Sequence, residues 1–111
     1  MNQYTSKEQT NTLLQLGFPK PHIAPPTLEF NEDYDFVPRY TIGELIDMLP
    51  KMIDYQELSF YYDNFQEVWI VGYWGINPAK TITSDELIDA ICEMIKRLVQ
   101  EGKLKKRQND S

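Results

Sequence analysis

The spacing of apolar residues along the chain predicts three helices. The clearest lies between about residues 84 and 101, where apolar residues recur every three or four positions, as on the buried stripe of an amphipathic helix. A second helix, over about 42 to 49, has the same spacing, and a third is predicted over about 6 to 16. The stripe residues are Leu87, Ile88, Ile91, Ile95, Leu98 and Val99 in the last helix, and Ile42, Leu45, Ile46 and Leu49 in the middle one.

Capping patterns mark the ends of these helices. A Ser or Thr followed three residues later by Glu or Gln forms a capping box, in which each side chain accepts a hydrogen bond from a free backbone N–H. Glycine ends helices because it tolerates a left-handed backbone, and proline cannot continue one. The pairs are Thr5 with Glu8, Ser6 with Gln9, Thr41 with Glu44 and Thr83 with Glu86, and the predicted ends are Gly17, Pro50 and Gly102.

Residues 56 to 62 and 66 to 74 are rich in aromatic and β-branched residues, which predicts two antiparallel strands. A short third strand through Ile82 is also expected. A two-residue turn would place Glu67 opposite Phe60 on the core side, so the apolar pattern favours an odd-length connection. That register gives one core face and one outer face. The predicted core face holds Leu58, Phe60, Tyr62, Val68, Ile70, Gly72 and Trp74, and the outer face holds Glu57, Ser59, Tyr61, Glu67, Trp69, Val71 and Tyr73.

These elements predict an α+β fold, in which a small antiparallel sheet of two to three strands packs against a long C-terminal helix, with two shorter helices. We expect one domain over residues 1–104 and a basic, disordered tail over 105–111. Residues 18 to 40 hold five of the seven prolines, so extended or irregular chain is expected there, with a short strand near Thr27 to Phe30.

The predicted outer face is unusually aromatic for a sheet surface in contact with water. Trp69, Val71 and Tyr73 follow one another along it, with Tyr61 on the neighbouring strand. Three alternatives remain open: residues 18–40 cover this face, a protein partner or a second copy of the chain binds it, or a sugar or base stacks on it. The sequence predicts a protein interface at Trp69, Tyr73, Tyr61 and Val71.

Charge is distributed unevenly along the chain. The net charge is -6, but residues 1 to 95 carry fifteen acidic against five basic residues, and residues 96 to 107 hold six of the eleven basic residues. An acidic body repels phosphate backbones. The body itself is therefore not expected to bind nucleic acid. Nucleic-acid association remains an alternative through the basic tail, or with the body acting as an acidic DNA mimic. The candidate nucleic-acid-binding residues are Lys103, just before the tail, and Lys105, Lys106 and Arg107 within it.

Enzyme chemistry has little support in the sequence. His22 is the single histidine and lies between prolines, and Asn31 to Asp35 lacks the glycine and distant glutamate of a calcium loop. The single cysteine, Cys92, is expected to be a small buried apolar residue. No phosphate-binding glycine motif is present. We therefore expect a non-enzyme with no cofactor and no metal site. With no apolar run long enough for a membrane helix and a polar beginning, a cytoplasmic location is expected.

Three blocks of the sequence resemble a group of small uncharacterised proteins found in gut Bacteroidales genomes and in their phages or other mobile elements. The blocks are TSKEQTNTLLQLGFPKP, YTIGELIDMLP and SDELIDAICEMIKRLVQEGKL. The resemblance implies a cytoplasmic, phage-related accessory protein and implies no activity. Together with the aromatic face, it favours a non-enzymatic interaction module that binds a protein partner or itself.

Overall fold

The computed structural model describes residues 3–21, 39–75 and 79–104, which form three helices and four strands. The predicted strand near Thr27 to Phe30 and the predicted tail over 105–111 lie outside these residues. In chain order the elements are α1 (Lys7–Gln15), α2 (Ile42–Met48), β1 (Met52–Ile53), β2 (Gln56–Asp63), β3 (Val68–Gly75), β4 (Lys80–Ser84) and α3 (Leu87–Gln100).

The four strands form one antiparallel sheet in the order β1-β2-β3-β4, so each strand pairs with its neighbour in the sequence. The α+β class and the C-terminal position of the last helix are confirmed. The predicted third strand through Ile82 is β4, and β1 is a fourth strand that the sequence pattern did not predict.

The first two helices begin where the capping patterns placed them. Ser6 and Gln9 form the capping box of α1, and Thr41 and Glu44 form that of α2. Of the two candidates at the first helix, only the Ser6 pair caps it, because Thr5 is buried and its hydroxyl bonds elsewhere. That hydroxyl accepts from the Tyr40 N–H at 3.1 Å and lies 2.6 Å from the Thr10 hydroxyl.

These hydrogen bonds join the start of α1 to the start of α2. The Thr10 hydroxyl donates to the Ser6 carbonyl at 2.8 Å, so the Thr5 hydroxyl donates to Thr10 Oγ1. The Thr5 N–H also donates to the Tyr40 carbonyl at 2.9 Å. Both threonines are buried, and this chain of donors and acceptors satisfies their hydroxyls.

The last helix begins later than its predicted capping box. Thr83 lies in β4 and Glu86 is the N-cap of α3 without a side-chain capping bond, so the predicted Thr83–Glu86 box is wrong. Pairing of β4 with β3 extends the strand through Ser84 and holds Thr83 in the sheet. The apolar stripe is confirmed, because five of its six residues are buried and Val99 packs against the core. The buried members are Leu87, Ile88, Ile91, Ile95 and Leu98.

The register of the β2–β3 hairpin differs from the predicted one and exchanges the two faces of the sheet. Asp63 pairs with Val68 across a four-residue connection, so Phe60 lies opposite Val71. The odd-length connection was therefore wrong. A longer even connection removes Glu67 from the strand, and Glu67 adopts a left-handed backbone at φ 55° in the turn. The acidic residue that argued against an even connection thus never faces the core.

The exchanged register puts Val71 and Tyr73 on the face that packs against α3, which we call the helix face. Both are fully buried in one core cluster with the stripe of α3. Opposite residues share a face, so Leu58, Phe60 and Tyr62 of β2 also lie on the helix face. The opposite side, which we call the outer face, carries the alternate residues Val68, Ile70, Gly72 and Trp74 of β3.

A tight turn of Asp54 and Tyr55 joins β1 to β2, and both residues have positive φ, at 50° and 65°. Two positive φ values in a two-residue connection define a type I′ turn, for which Asn-Gly is the preferred sequence. Tyrosine is strained in this region because its Cβ crowds the backbone. The Tyr55 side chain is 84% exposed and recovers little of that cost through packing.

We expect Tyr55→Gly to raise the free energy of unfolding by roughly 0.5 to 1 kcal/mol, because glycine adopts positive φ without steric strain. Urea unfolding followed by circular dichroism measures the change. Glu57→Gly is the matched control, since Glu57 is also exposed and lies in the same hairpin at an ordinary strand position. The free energy of unfolding of the Glu57→Gly control should fall by about 0.5 to 1 kcal/mol. Equal destabilisation by both changes would contradict the strained turn.

Candidate functional site

The structure separates the four residues that the sequence predicted as a protein interface. Val71 and Tyr73 are buried on the helix face, and Trp69 lies partly buried on the same face. Tyr61 is exposed on the outer face. The prediction that these residues share the outer face is therefore wrong, because the hairpin register places three of them toward α3.

Tyr73 is fixed in the core by a hydrogen bond as well as by packing. Its hydroxyl donates to the Pro50 carbonyl at 2.7 Å, immediately after α2. Burial raises the pKa of Tyr73 to about 12, because the charged phenolate would lose its solvation. Tyr40 makes a similar bond to the Pro19 carbonyl, and burial followed by the charge of Glu44 raises its pKa to about 12. Both tyrosines are therefore neutral structural residues at pH 7.

Apart from Tyr55 in the β1–β2 turn, the exposed aromatic residues of the described ranges lie along β2 and in the connection that follows it. Phe60, Tyr61 and Tyr62 are exposed by 39%, 48% and 42%, and Phe65 is fully exposed at 100%. We call these four residues the aromatic edge. The sequence did not predict this site as a unit. The available signal was the run of three aromatic residues, because successive strand residues point to opposite faces and three consecutive aromatics cannot share one side.

The position of α3 explains why this part of the helix face stays open. The main contacts of α3 with the sheet are to β3 and β4, whereas β2 makes its main contacts with β1 and β3. Tyr62 packs edge-on against Trp69 with ring centroids 5.4 Å apart. On the outer face, Tyr61 lies 5.9 Å from Trp74, measured between ring centroids. Each exposed tyrosine of β2 thus packs against a tryptophan of β3 on its own face of the sheet.

The connection between β2 and β3 holds Phe65 away from the sheet. The Asp63 carboxylate accepts from the backbone N–H of Phe65 at 2.8 Å and from that of Gln66 at 3.2 Å. An aspartate that bonds the backbone two residues on stabilises a tight turn. Phe65 is therefore held at the tip of a defined turn with its ring in solvent.

The basic residues predicted as a nucleic-acid site are described only in part. Lys103 donates to the carboxylate of Asp54, a residue of the β1–β2 turn, at 2.7 Å. This hydrogen bond, followed by the charge of Lys103, lowers the pKa of Asp54. The same hydrogen bond, followed by the charge of Asp54, raises the pKa of Lys103. Lys105, Lys106 and Arg107 lie outside the described residues. The nucleic-acid alternative therefore stays a prediction.

Cys92 is buried in α3 near a shallow cavity of about 190 Å³ between α1 and α3. Burial, followed by the charges of Asp89 and Glu93, raises the pKa of its thiol to about 12. Only a very small fraction is thiolate at pH 7, and thiolate is the nucleophilic form. The expectation that Cys92 is a small buried apolar residue is confirmed by its 3% exposure.

Metal ligands do not cluster in the described ranges, since no group of three His, Cys, Asp or Glu side chains there could hold an ion. His22 and Asn31 to Asp35, which the sequence raised as candidate chemistry, lie outside those ranges.

Within the three described stretches of the chain, every helix is too short or too polar to span a lipid bilayer. Comparisons of this chain with protein-family models, with curated proteins and with solved structures find no match.

Proposed function

We propose that this chain is a non-enzymatic interaction module that binds a protein partner, or a second copy of itself, through the aromatic edge. The accessory role in a phage or mobile element rests on the three sequence blocks that resemble that group of proteins. The surface differs from the one that the sequence predicted, and only Tyr61 is common to both.

The observation that carries this proposal is the exposure of four large aromatic side chains along β2 and in the connection after it, on both faces of one side of the sheet. Large apolar side chains left exposed together on a small domain are typical of an interaction site. Tyrosine suits such a surface because its ring buries a large apolar area while its hydroxyl can bond to the partner or to water. The support of Tyr61 and Tyr62 by tryptophans keeps their rings oriented before binding, which lowers the entropic cost of association.

Photocrosslinking at Phe65 tests this proposal. A photoreactive phenylalanine analogue replaces Phe65 in the full purified chain, which is added to an extract of the cells in which it naturally occurs. Because Phe65 is fully exposed, the replacement leaves the core unchanged. We expect covalent adducts between the chain and a discrete protein species, either another protein or the chain itself, resolved by gel electrophoresis and mass spectrometry.

Tyr55 provides the matched control position. It is an exposed aromatic residue in the turn at the opposite end of β2 from Phe65. The analogue at Tyr55 should yield few adducts, and Phe60→Ser combined with Tyr62→Ser should remove those formed at Phe65. An absence of adducts at Phe65, or equal yields at both positions, would contradict the proposed function.

A further inference from the structure

One long edge of the sheet has no strand beside it among the described residues. β1 pairs with β2 only at Gln56 and Glu57, and the Leu58 N–H donates to the Lys51 carbonyl at 3.0 Å. Backbone groups of alternate strand residues point the same way. The N–H and C=O groups of Phe60 and Tyr62 therefore point to the same side as those of Leu58, beyond the end of β1. We call the outward side of Ser59 to Asp63 the free edge.

The free edge lacks the features that usually prevent strands from adding to a sheet. Natural edge strands are commonly very short or carry lysine, proline or a bulge. β2 has eight residues with none of these, and its pairing with β3 is continuous from Gln56 to Asp63. The opposite edge, β4, has five residues, begins at Lys80 and presents exposed threonines. The two edges of the sheet thus differ in their capacity to accept another strand.

We propose that two copies of the chain associate through their free edges, with the two β2 strands antiparallel about a twofold axis at Tyr61. This inference rests on the proposed function and names its partner as a second copy. The two sheets then form one continuous sheet in which β2, β3 and β4 of both copies lie side by side, six strands across, with each β1 in line with the partner's β2. A twofold interface of this kind uses the same surface on both partners.

Side-chain chemistry selects the register. Residues opposite each other in an antiparallel pair share a face of the sheet. The twofold axis keeps this match only if it lies between the two copies of the same β2 residue. With the axis at Tyr61, Phe60 lies opposite Tyr62 twice and Ser59 lies opposite Asp63. Centring on Phe60 instead would bring Glu57 opposite Asp63, and like charges directly opposite destabilise a sheet. The outward backbone groups of Phe60 and Tyr62 bond to each other only when these two residues lie opposite one another. The axis at Tyr61 provides that register.

The exposure of the aromatic edge favours a second copy as the occupant. Phe60 and Tyr62 are partly exposed on the helix face at the side where α3 does not reach, and the same pair from a second copy would meet them there. Aromatic pairs across strands are among the favourable ones. The net charge of -6 on each chain opposes association, so added salt should strengthen the dimer through screening. Binding of the chain to nucleic acid would weaken with salt instead.

Sedimentation equilibrium of the purified full chain tests the inference directly. We expect a monomer–dimer equilibrium whose dimer fraction increases with protein concentration and with sodium chloride. A single 13.1 kDa species at all concentrations would overturn the second-copy inference. Adducts at Phe65 to a different protein would still support the proposed function in that case, so the two failures are distinguishable.

A charge exchange at the axis tests the register. Tyr61→Lys and Tyr61→Glu each place like charges opposite one another, so we expect the dimer of each variant to be weaker by about tenfold or more. An equimolar mixture should recover the dimer, because opposite charges then meet across the axis. Thr83→Lys and Thr83→Glu are matched controls, since Thr83 is exposed on the same outer face at the β4 edge. These controls should dimerise as the original chain does.

A covalent test remains valid even if a charged residue disturbs the fold. Tyr61→Cys should form an intermolecular disulfide on air oxidation, because non-hydrogen-bonded antiparallel neighbours have Cα atoms about 4.5 Å apart, within disulfide reach. Cys92 is buried and does not compete. Thr83→Cys should remain reduced under the same conditions. Failure of the mixed charge variants to recover, or equal oxidation at positions 61 and 83, would overturn the Tyr61 axis.

Discussion

Tyr73→Ala is expected to lower the free energy of unfolding by about 3 to 5 kcal/mol, the range for removing a large buried aromatic side chain. Tyr73 is fully buried between β3 and α3, and its hydroxyl bonds the Pro50 carbonyl. The change removes both the packing and the hydrogen bond. Domains of this size are stable by only about 5 to 15 kcal/mol, so this loss is a large fraction of the total and the urea midpoint should fall clearly. Urea titration with near-ultraviolet circular dichroism measures the loss.

Two further variants separate the causes of this loss. Tyr73→Phe keeps the ring and removes only the hydroxyl, so it should cost about 1 kcal/mol. Tyr61→Ala is the matched control, because Tyr61 belongs to the same hairpin but is 48% exposed, and it should cost about 1 kcal/mol or less. The odd-length register would place Tyr61 and Tyr73 on the same face of the sheet. Comparable losses for Tyr73→Ala and Tyr61→Ala would therefore contradict the observed register.

Gly72→Ala is expected to destabilise the sheet by about 1 to 3 kcal/mol, although it adds a single methyl group. Gly72 lies in the middle of β3 on the outer face. An added Cβ would lie 2.6 Å from the backbone oxygen of Lys80 and 2.9 Å from both Thr81 Cγ2 and Trp74 Cη2. The indole of Trp74 could move, but the Lys80 oxygen belongs to the paired strand β4. The β3–β4 pairing must therefore shift, and thermal unfolding should report a lower midpoint.

Gly43→Ala is the matched control for the same substitution in open space. Gly43 is exposed in α2, and the nearest atom to its added Cβ is Thr41 Oγ1 at 3.8 Å. Alanine favours a helix over glycine, so this variant should gain about 0.5 to 1 kcal/mol. Opposite signs at the two positions are the expected result. A stabilising effect at Gly72 would contradict the close approach of β3 and β4.

The helices could be predicted from the sequence because their signals are local. The capping boxes at Ser6 and Thr41 and the apolar stripe of α3 depend on residues three and four positions apart, which a helix brings together whatever surrounds it. The start of α3 was missed because strand pairing of Thr83 with Ile70 is a contact between distant residues. Tertiary pairing there outweighed a local capping signal.

The faces of the hairpin could not be predicted because both faces of β3 are apolar. Val68, Ile70 and Trp74 alternate with Trp69, Val71 and Tyr73, so the alternation that normally identifies the buried side is absent. The turn decides the register, and it depends on the Asp63 carboxylate and on a left-handed Glu67, neither of which has the glycine signature of a turn. The candidate site moved from Trp69 and Tyr73 to the aromatic edge for this reason alone.

The missing strand has a similar cause. β1 has only two residues, and its turn carries Asp54 and Tyr55 at positions where Asn-Gly is usual. An isolated pair of apolar residues after Pro50 gives no strand periodicity. The chain tolerates the unfavourable turn because β2 and the Lys103 bond to Asp54 hold both sides of it.

The order of the strands also bears on how the chain reaches this structure. From Met52 to Gln100, each element contacts the next across a connection of no more than four residues, as the element bounds show. Closing such short loops costs little entropy, and folds dominated by near neighbours form quickly. α1 differs, because its Gln9 side chain bonds Asp89 across 80 residues of sequence. We therefore expect the sheet and α3 to assemble during folding before the N-terminal helix docks, so that α1 adds to a surface that already exists.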